Sequence, residues 1–147
     1  MSISTTLSSI NQTTNEITRL EKALLDETKK EADITKKINN TKKSITKNTS
    51  VSTVNSKLGQ IERYENDLVK TLNKKTDITK KIAQKREKLN SLNKKLKKEE
   101  QDENKKRQKE QERVQKSYEK RIDELTAQLK NNISSNISEV GKSTSEE

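Results

Sequence analysis

The chain has 147 residues, a formal net charge of +10, 24% hydrophobic and 38% charged side chains, two glycines, and no cysteine, histidine, proline, tryptophan or phenylalanine. Disulfides and zinc or iron centres have no ligand set, and an ordinary globular core has too little apolar material. Composition alone permits disorder, so the placement of the apolar minority has to decide.

Residues 1–10 are polar and uncharged, without the basic start and apolar stretch of a signal peptide, and the longest apolar run is Ala23-Leu24-Leu25. These features point to a cytoplasmic protein with no membrane contact. In the first segment Ile3, Ile10, Ile17, Leu24, Glu31, Ile38 and Ile45 recur every seven residues, with Leu20 and Ile34 four residues before the next member and Leu7 beside them. A seven-residue repeat drifts on a straight helix, so holding it this long predicts helices wound around one another. Ser2 or Ser4 can cap its start, and Thr13-Thr14-Asn15-Glu16 also fits a capping box.

The second segment repeats the first. Asp33-Ile34-Thr35-Lys36-Lys37-Ile38 returns as Asp77-Ile78-Thr79-Lys80-Lys81-Ile82, and Val54, Ile61, Leu68, Lys75, Ile82, Leu89 and Leu96 form the matching column. Tyr64, Ile78 and Leu92 lie in its second column, with Leu58 and Leu72 on the flank. Ile45 to Val54 breaks the repeat, and at about 100° per residue an unbroken helix would turn the stripe to its opposite side. The Ser/Thr-rich residues between them therefore read as a turn, with Asn48 suited to a left-handed helix end and Ser50, Ser52 or Thr53 to capping the next helix. The expected domains are a helix over 1–47, a turn over 48–53, and a helix over 54–130, paired to residue 96.

From Lys97 to Arg113 no side chain is apolar, which predicts a solvated helical extension. Val114, Tyr118, Ile122, Leu125 and Leu129 then make a shorter stripe suited to a separate contact. Residues 131–147, rich in Ser and Asn, read as a disordered tail or linker. The fold class is all-α: a long antiparallel coiled-coil helical hairpin, a charged extension and that tail.

Burying about twenty aliphatic side chains at roughly 2 kcal/mol each leaves such a hairpin marginal against the entropy of ordering it, so a homodimer is expected. Its interface would be Ile10, Ile17, Leu20, Leu24, Ile34, Ile38, Ile45, Val54, Ile61, Leu68, Ile78, Ile82, Leu89, Leu92 and Leu96. Glu31 and Lys75 interrupt the two columns at the same place. Levelling the helices about the turn keeps them apart within one chain, so they are expected to pair across two chains and set the register, or to snorkel to water.

Residues 70–98 hold twelve Lys or Arg against Asp77 and Glu87, with Lys74, Lys81, Lys88 and Lys95 on one helix edge. That edge is either a solvated flank or a polyanion-binding track, the latter without aromatic residues for base stacking beyond Tyr64 and Tyr118. Nothing in the sequence supplies a nucleophile paired with a base, a phosphate loop or a metal site, so no catalytic residue and no cofactor is expected.

The stretch Ser44-Ile45-Thr46-Lys47-Asn48-Thr49-Ser50-Val51-Ser52-Thr53-Val54-Asn55-Ser56-Lys57, followed by lysine-rich heptads to Glu100 and the Lys/Glu/Gln helix beyond, resembles the N-terminal coiled-coil region of bacterial TIR-domain proteins. The resemblance covers about residues 1–130. It implies an oligomerising or sensing half of an antiphage system whose C-terminal TIR domain hydrolyses NAD when assembled. That domain and its catalytic glutamate are not among these residues, so no catalytic residue carries over. The expected function is a scaffold that self-associates and positions an attached or partner effector, and the alternative is a basic helical nucleic-acid binder.

Overall fold

The computed structural model describes residues 2–145, with side chains described for residues 2–139. Two helices are present, α1 over Ile3–Lys43 and α2 over Val51–Ser145. The chain divides into two compact units, Met1–Lys97 and Lys98–Glu147.

In the first unit, Ser2 caps α1: its side-chain oxygen accepts from the Thr5 N–H at 3.2 Å while its carbonyl accepts from Thr6. The capping side chain satisfies amide groups that have no partner within the first turn. At the other end Ser44 closes the helix, its N–H donating to the Asn40 and Thr41 carbonyls and its hydroxyl to Thr41 O at 2.6 Å. Lys42 and Lys43 lie in the last turn, where positive charge complements the carbonyl end of the helix. The connection therefore runs from Ser44 to Ser50, earlier than the expected 48–53.

Asn48 does not take the left-handed conformation expected of it, because among the described residues no non-glycine residue has positive φ. The reversal is made by hydroxyl groups instead. The Thr46 N–H donates to Thr49 Oγ1 at 2.9 Å, the Thr49 N–H returns to Thr46 O at 3.1 Å, and Ser50 Oγ accepts from the Thr53 N–H. Ser50, one of the three candidate caps, thus starts α2.

Cross-helix contacts place the two helices side by side as a helical hairpin. Ser44 meets Lys57, the Lys37 ammonium lies 5.9 Å from the Tyr64 ring centre, and Glu31, Glu21 and Glu16 pair with Lys75, Arg86 and Lys85. Buried and half-buried side chains recur at alternating steps of three and four: 3, 6, 10, 13, 17, 20, 24, 27, 31, 34, 38 and 41 on α1, and 54, 57, 61, 64, 68, 71, 75, 78, 82, 85, 89 and 92 on α2. Ile17, Ile38, Ile61 and Ile82 are the most deeply covered aliphatic side chains, 6–8% exposed.

Of the fifteen residues assigned to an oligomer interface, thirteen lie in this seam, while Ile45 lies in the connection and Leu96 beyond the last paired position; all fifteen are buried or half-buried within one chain. Leu7, Leu58 and Leu72, on the flanks of the columns, remain exposed.

In the second unit the helix continues through residues 131–145, where a disordered tail was expected. Ser and Asn weaken a helix by only a few tenths of a kcal/mol each, no proline intervenes, and Ile133 and Ile137 extend the line begun by Leu125 and Leu129. Residues 146 and 147 of that expected tail lie outside the described residues.

Candidate interaction surface

The polar residues of the hairpin seam are as informative as the apolar ones. Thr6 and Thr13 are almost wholly covered, and Thr71 and Glu27 are buried as well. A buried hydroxyl needs a partner, and Thr13 Oγ1 finds one in the Ser9 carbonyl at 2.8 Å, as Thr6 does in Ser2 O at 3.2 Å and Thr41 in Lys37 O at 2.8 Å. Bonding back one turn leaves the threonine methyl to pack, so these positions behave as small apolar residues. By residue type alone they count as polar. The available signal was their spacing, since Thr6, Thr13, Thr41 and Thr71 each stand three residues after an apolar column position.

Near the middle of the seam, Lys75 Nζ lies 2.5 Å from Glu31 Oε2, with the two side chains 25% and 32% exposed. Glu31 and Lys75 therefore meet within a single chain, which corrects the expectation that they pair across two. That expectation levelled each column member with its counterpart about the turn. The contacts of Ser44 with Lys57, Lys37 with Tyr64 and Glu16 with Lys85 instead bring Lys75 beside the turn that carries Glu27. A lysine stem spans the roughly 6 Å of one helical turn, which carries the ammonium on to Glu31. Glu27 itself bonds Lys30 at 3.3 Å through Oε1, while its Oε2 is buried without a hydrogen bond.

Further along, Lys85 approaches Glu16 Oε2 at 2.6 Å from within the seam, and Arg86 meets Glu21 at 3.0 Å on its flank. Hydrogen bonding from Lys85 holds the Glu16 carboxyl below its ordinary value, aided by the charges of Lys85 and Lys88 and opposed by desolvation. At the turn, Lys57 Nζ donates to both the carbonyl and the hydroxyl of Ser44, at 3.2 and 2.8 Å, tying the end of α1 to the second turn of α2.

Lys74, Lys81 and Lys88 are exposed and Lys95 half-buried, and among the described residues none of the four is in an ion pair. Also among the described residues, no group of three or more acidic side chains could hold a metal ion, and no helix is long and apolar enough to cross a membrane.

The second unit presents the other surface. Val114, Tyr118, Ile122, Leu125, Leu129, Ile133 and Ile137 are 38–67% exposed, with Glu110, Gln111, Gln115 and Glu119 flanking an open furrow at its start. Intrahelical pairs hold the surrounding charges: Glu103 with Arg107, Glu110 with Arg113 at 2.6 Å, and Arg121 with Glu124. No family model, curated protein or solved structure matches the chain.

Proposed function

We propose that this chain is a non-catalytic assembly scaffold, an antiparallel coiled-coil hairpin continued by a helical extension, which self-associates as a dimer and positions an attached or partner effector. The observation that carries this reading is the division of the apolar side chains. The hairpin spends its duplicated columns on its own seam, whereas seven large apolar side chains between residues 114 and 137 are exposed on one helix. An isolated helix gains nothing from such a stripe, and a contiguous apolar patch on this scale marks an association site.

The resemblance of residues 44–57 and the helices around them to the coiled-coil region of TIR-domain proteins supplies the effector: a TIR NAD hydrolase of a bacterial defence system, working in the cytoplasm. The mechanism is proximity. Raising the local concentration of effector domains needs no chemistry from the scaffold, only a defined spacing.

The test is the mass of the purified chain by light scattering at micromolar concentration, in moderate and in high salt. A dimer in both supports the scaffold, because an apolar contact persists when salt screens charges. A monomer throughout refutes it. The exposed column of Lys74, Lys81 and Lys88 favours the second reading, a sequence-indifferent polyanion binder. Titration with duplex DNA distinguishes it: that reading requires affinity falling steeply with salt and lost when these lysines become glutamine.

A further inference from the structure

The stripe of the second unit has a period different from that of the hairpin. Val114, Tyr118, Ile122, Leu125, Leu129 and Ile133 follow one another at steps of four, four, three, four and four, so Val114, Tyr118 and Ile122 return eleven residues later as Leu125, Leu129 and Ile133. Eleven residues make three turns of 3.67, close to the natural 3.6, so the six side chains stay within an arc of about 100° over roughly 28 Å without supercoiling to the left. The hairpin's seven-residue seam has the opposite drift. The two surfaces are poorly matched in period, and the stripe fits best against another with its own spacing.

That spacing also reads the same from either end. Placed antiparallel to a second copy, Val114 comes level with the copy's Ile133, Tyr118 with Leu129 and Ile122 with Leu125, so each of these six meets another, and Ile137 lies beyond the contact, level with the copy's Glu110. A two-fold axis between residues 123 and 124 makes the contact self-complementary and closed. With six side chains 38–67% exposed, each loses on the order of 90 Å², about 1,100 Å² over both copies, near the lower end of specific interfaces.

Charge chooses between the two orientations. Residues 1–113 carry 28 Lys or Arg against 17 Asp or Glu, a net +11, whereas residues 114–147 carry five against six, a net −1. Parallel pairing sends two +11 segments out of the same end of the contact, and antiparallel pairing sends them out of opposite ends, beyond the roughly 8 Å over which charges act at physiological salt. We infer that residues 114–133 form a two-fold symmetric, antiparallel dimerisation site for a second copy of this chain. The inference rests on the scaffold reading and names the surface and orientation of its self-association.

The full-length chain tests it in two ways. Ile122→Glu with Leu125→Glu is expected to convert the dimer to monomer with the circular dichroism of the helices retained, while Leu58→Glu with Leu72→Glu on the hairpin flank leaves the dimer intact. The absence of cysteine allows a second measurement that leaves most of the stripe in place. Val114→Cys and Ile133→Cys chains, mixed under oxidation, are expected to give the 114-to-133 disulfide and little of either homodimer.

A dimer that survives Ile122→Glu with Leu125→Glu, or that is lost only from the hairpin-flank variant, overturns the inference and leaves the scaffold reading standing. Efficient 114-to-114 and 133-to-133 disulfides overturn the antiparallel assignment. A monomeric wild-type chain overturns both.

Discussion

Lys75→Met is the most revealing single change, because it removes the cation of the part-buried pair with Glu31 near the middle of the seam. The methionine keeps most of the buried stem, so the loss is electrostatic. An ion pair in contact is worth about 1 kcal/mol at 4 Å in water and about 4 at an effective dielectric of 20, and partial exposure together with the ordering of two long side chains brings a pair such as Glu31–Lys75 to roughly 1–1.5 kcal/mol. The single variant costs more than the pair is worth, about 2 kcal/mol, since Glu31 stays part-buried without its cation. Adding Glu31→Met puts two apolar side chains in the seam, which is expected to restore the stability of the wild type or exceed it. Urea unfolding followed by circular dichroism, at a fixed protein concentration, gives the four corners of the cycle. A coupling energy below about 0.3 kcal/mol, within the range of independent sites, would refute the reasoning.

Ile38→Ala is expected to destabilise the hairpin by about 2–3 kcal/mol, since Ile38 is 7% exposed, whereas Leu125→Ala, at an exposed site, should move it by less than about 0.5 kcal/mol when the chain is too dilute to associate. The same urea titration reads both. Gly59 sits inside α2, and a Cβ added there meets nothing within 4 Å, so Gly59→Ala should stabilise by about 1 kcal/mol and raise the melting temperature. Because the folded Glu16 carboxyl titrates below its ordinary value of 4.5, its contribution is present above the unfolded pKa and lost as pH falls through the folded one. The melting temperature of wild type should therefore exceed that of Glu16→Gln at about pH 7, and the difference should shrink towards about pH 3.

The apolar columns, the N-caps among the alternatives offered for them, and the existence of the turn were legible because each depends on local chemistry at fixed spacing; the end of α1 at Ser44 was not. Ile17, Ile38, Ile61 and Ile82 form the most deeply buried aliphatic part of the seam, in the columns that the repeat singles out. What the sequence hid depended on three dimensions. Thr6 and Thr13 count as polar until the hydroxyl bonds backwards, and only then are they core. The Glu31–Lys75 contact was missed because symmetry about the turn is a poor guide to level: facing helices interlock one column against the other, and a long lysine adds a further turn of reach. The helix through residues 131–145 was hidden by composition, which weighs Ser and Asn without the Leu129, Ile133, Ile137 line that runs among them.

The clasp of Lys57 on Ser44 also bears on how the hairpin comes together. Its two ends are 13 residues apart in sequence, while the partners of the Glu31 and Glu21 pairs are 44 and 65 apart. Each later contact closes only a short additional length of chain once the earlier ones exist, so the entropy of closure is met in small instalments rather than in one long loop. Assembly then runs like a zip from Ser44 towards Ile3, and opening runs the other way. Amide exchange along α1 should slow steadily from its start towards the turn, giving a gradient of protection in place of a single cooperative step.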